Sequence, residues 1–176
     1  APSLLADEVC AHDHTGLLVL HSLSKRSNMA GYRFGFLAGD AELVAGVLGV
    51  RKHAGMMVPG PVQAAAAAAY ADDGHVQEQR ERYRRRRDVL LAALPAAGFR
   101  IDHSEAGLYL WASEGRPARE TVSRLAHIGV LCAPGDFYGP RGAQHVRIAL
   151  TTTDERVDAA AARRGVAGVA RRVPRP

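Results

Sequence analysis

The most informative scarcity in this sequence of 176 residues is lysine: 23 side chains are Lys or Arg, but only Lys25 and Lys52 are lysine. Arginine stays protonated at physiological pH, whereas a lysine can lose its proton and attack a carbonyl carbon. Lys25 lies within HSLSKRSNMAGYRFGF (residues 21–36), a stretch rich in small residues. A lysine kept in such a stretch is a candidate for chemistry that arginine cannot perform.

Other absences exclude whole classes of protein. Cys10 and Cys132 are too few cysteines for a disulfide framework, and they favour a reducing cytoplasm. The sequence has no apolar run of about 18 residues, so no membrane span is expected. The start, APSLLADEVC, has neither an initiator Met nor the regions of a signal peptide. With 47% apolar and 23% charged residues, the composition is that of a globular chain.

The positive charge raises the alternative of a nucleic-acid-binding module. The net charge is +5, and much of it lies in RERYRRRR (residues 80–87), within a helix predicted from about Val76 to Leu94. We interpret these arginines as a solvated face of a connecting helix, with stems that cover apolar surface. No nucleic-acid partner is therefore expected.

Hydrophobic patterning predicts an α/β chain in two parts. GLLVLHS (16–22) and YRFGFLAG (32–39) are typical of strands, with close backbone approach at Gly35, and Asp40 is the predicted N-cap of a helix to about His53. After the long arginine helix the elements become shorter, which predicts a small α+β unit. Asp154 is the predicted cap of a last helix, and the late strands are expected in FRIDHS, GLYLWAS, GVLCAP and HVRIALT.

The groups around Lys25 suit an anion. Ser22 and Ser24 carry hydroxyls, and Arg33 can return to the same place across the turn at Gly31. An ammonium, two hydroxyls and a guanidinium in one pocket would suit a phosphorylated aldehyde. From the residues alone, an ordinary solvent-facing lysine remains an equally open alternative.

The stretch SLSKRSNMAGYRFG closely resembles the pyridoxal-phosphate attachment motif of class I/II aminotransferases, which have fold type I. A Ser precedes the lysine by three positions, and Gly, Arg and Gly follow it by six, eight and ten. Phe34 departs mildly from the motif, where a smaller aliphatic residue is commoner. The resemblance implies that Lys25 holds pyridoxal 5'-phosphate covalently, and that Ser22, Ser24 and Arg33 bind its phosphate.

A second segment, PGDFYGPRGAQHVRIALT, resembles the PGxxFG…RIxLT segment of the same family. The resemblance implies that its arginine, Arg147, binds the α-carboxylate of the substrate. A guanidinium on a strand can grip a carboxylate through two parallel hydrogen bonds. Arg147 considered alone would be an ordinary surface arginine, but its order and spacing relative to the Lys25 motif favour the functional interpretation.

These resemblances imply the C-terminal half of a fold type I transferase. Residues 1–92 would be the end of the large cofactor-binding α/β domain with its connecting helix, and 93–176 the small C-terminal α+β domain. The chain is most similar to actinobacterial N-succinyldiaminopimelate aminotransferases of lysine biosynthesis. The implied function is transfer of an amino group between an amino acid and a 2-oxo acid, with N-succinyldiaminopimelate and glutamate as the expected amino acids, in a cytoplasmic homodimer when the protein is complete. A lyase or decarboxylase on the same fold is the alternative within pyridoxal chemistry.

One residue that the family needs is not found. The family uses an Asp to pair with the pyridine nitrogen, and we expect that Asp before Ala1. Asp7 in ADEVC is too close to Lys25 to be its equivalent, and Cys10 stands where Tyr is usual. The isolated chain is therefore expected to be an incomplete fragment of doubtful activity.

The segment CAHDH raises the alternative of a metal site. On an extended segment, Cys10, His12 and His14 would share one face. No second cluster completes a four-ligand set, so we predict no metal.

Overall fold

The computed structural model describes residues 2–163, which form two compact units that divide between Gln79 and Arg80. The first unit contains α1 (Asp7–Cys10), β1 (Leu18–Ser22), α2 (Leu23–Arg26), β2 (Gly35–Gly39), α3 (Ala41–His53) and α4 (Gly60–Ala71). Helix α5 (Gly74–Ala96) crosses the division. The second unit continues with β3 (Arg100–Ile101), β4 (Tyr109–Ser113), α6 (Ala118–His127), β5 (Ala133–Pro134), β6 (Val146–Ala149) and α7 (Asp154–Ala162). The domain boundary predicted at 92/93 lies further along α5 and stays a prediction.

Strands β1 and β2 form an antiparallel pair in which Ser22 lies opposite Gly35. Within the described residues, neither strand pairs with any other. A Cβ at Gly35 would lie 2.8 Å from the carbonyl oxygen of His21, which confirms the predicted close backbone approach. Strand β2 begins later than predicted, because residues 30–32 form a 3₁₀ turn and Arg33 has a φ of +54°.

Helix α3 begins as predicted, because Asp40 Oδ1 accepts hydrogen bonds from the backbone N–H groups of Glu42 at 2.8 Å and Leu43 at 3.1 Å. Its apolar residues stay largely exposed: Leu43 is 43% and Leu48 is 58% exposed. Between residues 2 and 79, only Leu23 and Ala66 are buried. Residues of β2, α3 and α4 line an apolar cavity of about 550 Å³.

The second unit is built on a four-stranded antiparallel sheet of order β3-β4-β6-β5. Successive side chains of a strand point to opposite faces, and this alternation separates core from site. Leu110, Ala112, Val146 and Ile148 are buried on one face. They pack with apolar residues of α5, α6 and α7, including Leu90, Leu94, Leu125 and Val157. Tyr109, Trp111 and Arg147 belong to the other face.

Two predicted strands are much shorter than their sequences indicated. FRIDHS contributes only Arg100–Ile101, and GVLCAP contributes only Ala133–Pro134. The prediction that Asp154 caps the last helix is wrong, because Thr153 is the N-cap and Asp154 is the first helical residue. The Asp154 carboxylate forms an ion pair with Arg86 instead.

The interpretation of the arginine run as a solvated face is wrong for two of its members. Arg87 is only 8% exposed, and it donates hydrogen bonds to Ser104 Oγ at 3.1 Å and to the carbonyl of Gly107. Arg86 donates to the carbonyl of Leu150 at 3.0 Å. Part of the run therefore forms internal hydrogen bonds, and the run is not a uniform cationic surface.

Among residues 2–163, no helix is both long enough and apolar enough to cross a membrane.

The buried face of the sheet predicts which leucine the second unit needs. Leu110 is fully buried, and Leu131 is 86% exposed. We expect Leu110→Ala to lower the free energy of unfolding by about 2–5 kcal/mol, because it leaves a cavity in the core. The matched control Leu131→Ala should change it by less than about 0.5 kcal/mol. Urea unfolding measures both, and equal losses would contradict this placement of the core.

Candidate functional site

The turn after β1 brings two of the predicted residues into direct contact. Ser22 Oγ accepts the backbone N–H of Ser24 at 3.1 Å and lies 3.0 Å from Ser24 Oγ. The Ser22 hydroxyl also lies 3.0 Å from the carbonyl oxygen of Phe34, to which it can donate. These bonds join the start of α2 to the start of β2, so the two serines sit at one end of the strand pair.

Helix α2 is held by Arg26 and not by Lys25. Arg26 donates to the carbonyl of Ala69 at 2.7 Å, forms an ion pair with Asp73, and lies 5.1 Å from the centre of the Tyr70 ring. The Lys25 side chain is exposed and forms no hydrogen bond or ion pair with any other described residue. The two adjacent residues therefore have different roles in this turn. Arg26 bonds with several fixed partners, whereas the Lys25 amine stays available.

Further contacts fix the same helix within the first unit. Leu23 is fully buried, and Ser27 Oγ lies 2.9 Å from Nε2 of His75. His21, on β1, has its Nδ1 2.9 Å from the Tyr70 hydroxyl. Burial raises the pKa of the Tyr70 hydroxyl, so this group stays neutral and able to donate at physiological pH. Helix α2, which carries Lys25, is therefore held in place by the contacts of the residues around Lys25.

Arg33 lies at the same end of the strand pair as Ser22, Ser24 and Lys25. It immediately precedes Phe34, whose carbonyl faces the Ser22 hydroxyl. Its guanidinium is exposed and donates to the carbonyl of Ala30 at 2.8 Å. None of the described residues places a carboxylate against Lys25 or Arg33. An ammonium, a guanidinium and two hydroxyls without a counter-anion fit the chemistry of a phosphorylated group.

Arg147, the fifth predicted residue, lies in the second unit on β6. Its guanidinium carbon is 4.2 Å from the centre of the Tyr109 ring and 5.2 Å from that of Tyr138. The Nε atom is buried and has no hydrogen-bond partner among the described residues. No described carboxylate pairs with this guanidinium. A guanidinium held by rings, with its donors unused, fits a carboxylate ligand.

The structure adds residues around Arg147 that the sequence analysis missed. The His145 ring stacks on Trp111 with 5.1 Å between centroids and 7° between planes. His145 Nε2 lies 2.9 Å from Oδ2 of Asp102. The available signal was strand alternation, since Tyr109, Trp111 and Arg147 must share a face once GLYLWAS and HVRIALT pair. Asp102 and Tyr138 lie outside regular strands and carried no such signal.

The Asp102 carboxylate is stabilised in its charged form. Hydrogen bonds from His145 and then from Arg100 hold its pKa below the ordinary value of 3.8. A depressed carboxyl pKa contributes stability at pH values above the unfolded pKa, and this contribution is lost as the pH falls through the folded pKa. The pair is therefore intact at neutral pH.

The segment around Cys10 does not have the geometry that a metal site would need. Residues 7–10 are helical, and Ala11 and His12 have positive φ, so the segment is not extended. Asp7 lies 3.0 Å from His12, and both side chains are exposed. Among residues 2–163, no three His, Cys, Asp or Glu side chains come together as a metal set. Cys10 and Cys132 are both free thiols.

Comparison with known proteins identifies a family and several relatives. Residues 3–163 match the family model described as aminotransferase class I and II. The chain is 64% identical over 161 residues to "Probable aminotransferase Rv1178" of Mycobacterium tuberculosis, covering 92% of this chain and 38% of that protein. It is 60% identical over 161 residues to "4-dedimethylamino-4-oxo-anhydrotetracycline transaminase OxyQ" of Streptomyces rimosus, covering 92% of this chain and 45% of that protein.

Two further comparisons concern a more distant relative and a solved structure. An LL-diaminopimelate aminotransferase of Oleidesulfovibrio alaskensis is 40% identical over 147 residues, with 81% of this chain and 38% of that protein covered. The structure of an aminotransferase from Staphylococcus aureus superposes with a TM-score of 0.73 at 30% identity, over 82% of this chain and 39% of that one. The chain thus spans less than half the length of each.

The hydrogen bonds to Asp102 generate a prediction about its titration. We expect His145→Ala to raise the pKa of the Asp102 carboxyl toward 3.8, because it removes the larger of the two stabilising hydrogen bonds. Arg100→Ala should raise it less, since that bond is the smaller cause. Carbon-13 NMR of the side-chain carboxyl measures the midpoint. A midpoint that neither substitution moves would contradict the hydrogen-bond assignment.

Proposed function

Because the chain belongs to the aminotransferase class I and II family, we propose that the complete protein transfers an amino group between an amino acid and a 2-oxo acid. Its α/β architecture is that of fold type I aminotransferases, and pyridoxal 5'-phosphate is the cofactor of this family. The observation that carries the proposal is Lys25. Its side chain is exposed and without any described partner, beside the turn where Ser22 and Ser24 contact each other and at the same end of the strand pair as Arg33.

Lys25 would hold the cofactor through Nζ, and Ser22, Ser24 and Arg33 would bind its phosphate through hydroxyl and guanidinium donors. When bound, pyridoxal phosphate supplies a carbonyl carbon that exchanges amines and a ring that accepts the electron pair left at the substrate Cα. The freed Nζ of Lys25 would then accept the proton from that Cα and deliver it to C4′ of the cofactor, as a general acid/base. An arginine at this position could not do so, because it does not lose its proton.

Arg147 would orient the amino acid by its α-carboxylate. The Nε atom is buried without a described partner, and the rings of Tyr109 and Tyr138 hold the guanidinium without consuming its donors. Two parallel hydrogen bonds to a carboxylate fix both position and direction. As the resemblance implies, we propose that residues 1–92 are the end of the cofactor-binding domain and residues 93–176 are the small domain.

We propose N-succinyldiaminopimelate and glutamate as the amino donors. The resemblance of HSLSKRSNMAGYR supports this, as does the similarity to an LL-diaminopimelate aminotransferase. The more similar relative OxyQ is named for a tetracycline intermediate, so an acceptor of that chemistry is the second candidate.

We also propose that the complete protein is a homodimer in the cytoplasm. The two free cysteines are compatible with a reducing compartment.

The amino transfer can be tested on the complete protein with N-succinyldiaminopimelate as the amino donor and 2-oxoglutarate as the acceptor. We expect glutamate to form with N-succinyldiaminopimelate, and Lys25→Ala to abolish both glutamate formation and the visible absorbance of the bound cofactor. Lys52→Ala is the matched control, since it removes the other lysine of the chain and should change neither. Spectrophotometry and a glutamate assay measure the two effects.

Each alternative gives a different result in the same assay. Carbon dioxide or another cleavage product without glutamate would identify a decarboxylase or lyase on this fold. Glutamate from a different amino donor would keep the transferase and overturn the substrate. Cofactor absorbance that survives Lys25→Ala would refute the assignment of Lys25.

The role of Arg147 predicts a selective kinetic defect. Arg147→Ala in the complete protein should raise KM for the amino acid by about 10- to 100-fold, because a hydrogen-bonded ion pair with the substrate is lost. Cofactor affinity should change little. The control Arg156→Ala removes an exposed arginine of α7 and should leave KM unchanged. An unaltered KM in Arg147→Ala would remove this residue from the substrate site.

A further inference from the structure

We propose that Asp102, His145 and Trp111 are positioning residues that hold Tyr138 against the Arg147 guanidinium and so set the affinity for the substrate carboxylate. The proposal rests on the proposed role of Arg147. It assigns a task to one face of the sheet in the second unit, where the buried polar atoms without described partners, Nδ1 of His145 and Nε of Arg147, both lie.

Sheet register places these residues in one row. Trp111 pairs with Arg147 across β4 and β6, so both side chains belong to the same face. The backbone N–H of Asp102 donates to the carbonyl of Trp111 at 3.1 Å, which continues the row past the end of β3. His145 comes immediately before β6, and its ring stacks on Trp111, which belongs to the same face as Arg147.

His145 bridges the row from above. Its ring lies flat on Trp111, and its Nε2 lies 2.9 Å from Oδ2 of Asp102. A carboxylate only accepts, so Nε2 carries the hydrogen in this bond. The His145 side chain is 14% exposed. The indole is thus covered on one face by a ring whose orientation Asp102 fixes.

Trp111 in turn supports Tyr138. The two rings meet edge to face, with centroids 5.8 Å apart and planes at 78°. The 3₁₀ turn that carries Tyr138 begins at Gly135, whose N–H donates to the carbonyl of His145 at 2.8 Å. A Cβ at Gly135 would lie 2.9 Å from Trp111 Cη2. The turn is therefore fastened to both members of the stack.

This support matters because Tyr138 and Arg147 have little else to fix them. Tyr138 is 53% exposed, so burial alone does not hold its ring. Arg147 has no described carboxylate to orient its guanidinium, and Tyr138 is one of the two rings that contact it. A binding group is placed well only when the residues behind it are themselves locked. Asp102 and His145 provide that lock through Trp111.

The test compares binding and turnover in the complete protein. We expect His145→Ala to raise KM for the amino acid, and the calorimetric Kd for 2-oxoglutarate, by about 10-fold, with kcat within about 3-fold of the parent. His145→Gln keeps a side-chain N–H that can reach Asp102 and should restore most of the loss. His127→Ala is the control, since within residues 2–163 that imidazole bonds only with the carbonyl of Ser123 in its own helix.

A second variant separates positioning from a general loss of folding. Asp102→Ala acts at a side chain that is 33% exposed and should raise both constants in parallel with His145→Ala. The double variant should be no worse than either single one, because both changes break the same link. Independent, multiplying effects, or a fall in kcat and cofactor affinity as large as the rise in KM, would overturn the proposal.

The failure of this inference is distinguishable from failure of the proposed function. If Arg147→Ala weakens 2-oxoglutarate binding while His145→Ala and Asp102→Ala do not, the positioning row is wrong and the carboxylate site stands. If Arg147→Ala leaves binding unchanged, the carboxylate site itself is wrong.

Discussion

Strands β4 and β6 bury one face against three helices, and this constraint decides where each functional side chain of the second unit lies. Leu110, Ala112, Val146 and Ile148 occupy the buried face. Every intervening residue must then face the other way, which gathers Tyr109, Trp111 and Arg147. A register shift by one residue would exchange the two sets. The pattern of buried residues therefore decides which side chains can line the candidate carboxylate site.

The first unit has a much smaller buried core, because Leu23 and Ala66 are its only buried side chains among residues 2–79. Polar contacts take a larger share in holding the turn that carries Lys25. The Arg26 guanidinium donates hydrogen bonds to the carbonyl of Ala69 and to the Asp73 carboxylate. The side-chain amine of the neighbouring Lys25 has no described partner. This division explains the pair Lys-Arg, since exchanging the residues would give the structural task to a point charge and the chemical task to a group that stays protonated.

Features that depend on neighbouring residues in the sequence could be predicted. Features that depend on contacts between distant residues could not. The Asp40 cap, the close approach at Gly35 and the strand containing Arg147 follow from rules that act within a few residues. Arg87 is different, because its burial depends on Ser104 and Gly107, which no local pattern connects to it. The link from His145 to Asp102 likewise joins residues 43 positions apart. The roles that we propose for Lys25 and Arg147 rest on the resemblance to a family motif, because the residues alone left them open.

The arginines of the second unit show why Arg147 stands apart. Arg124 forms an ion pair with Glu114, whose side chain is only 10% exposed, and Arg86 pairs with Asp154. A partly buried guanidinium normally needs such a partner, because its desolvation is otherwise uncompensated. Arg147 has aromatic rings in that place. Ring faces offset part of the cost without occupying the N–H donors. The donors of Arg147 therefore stay available for the carboxylate that we propose it binds.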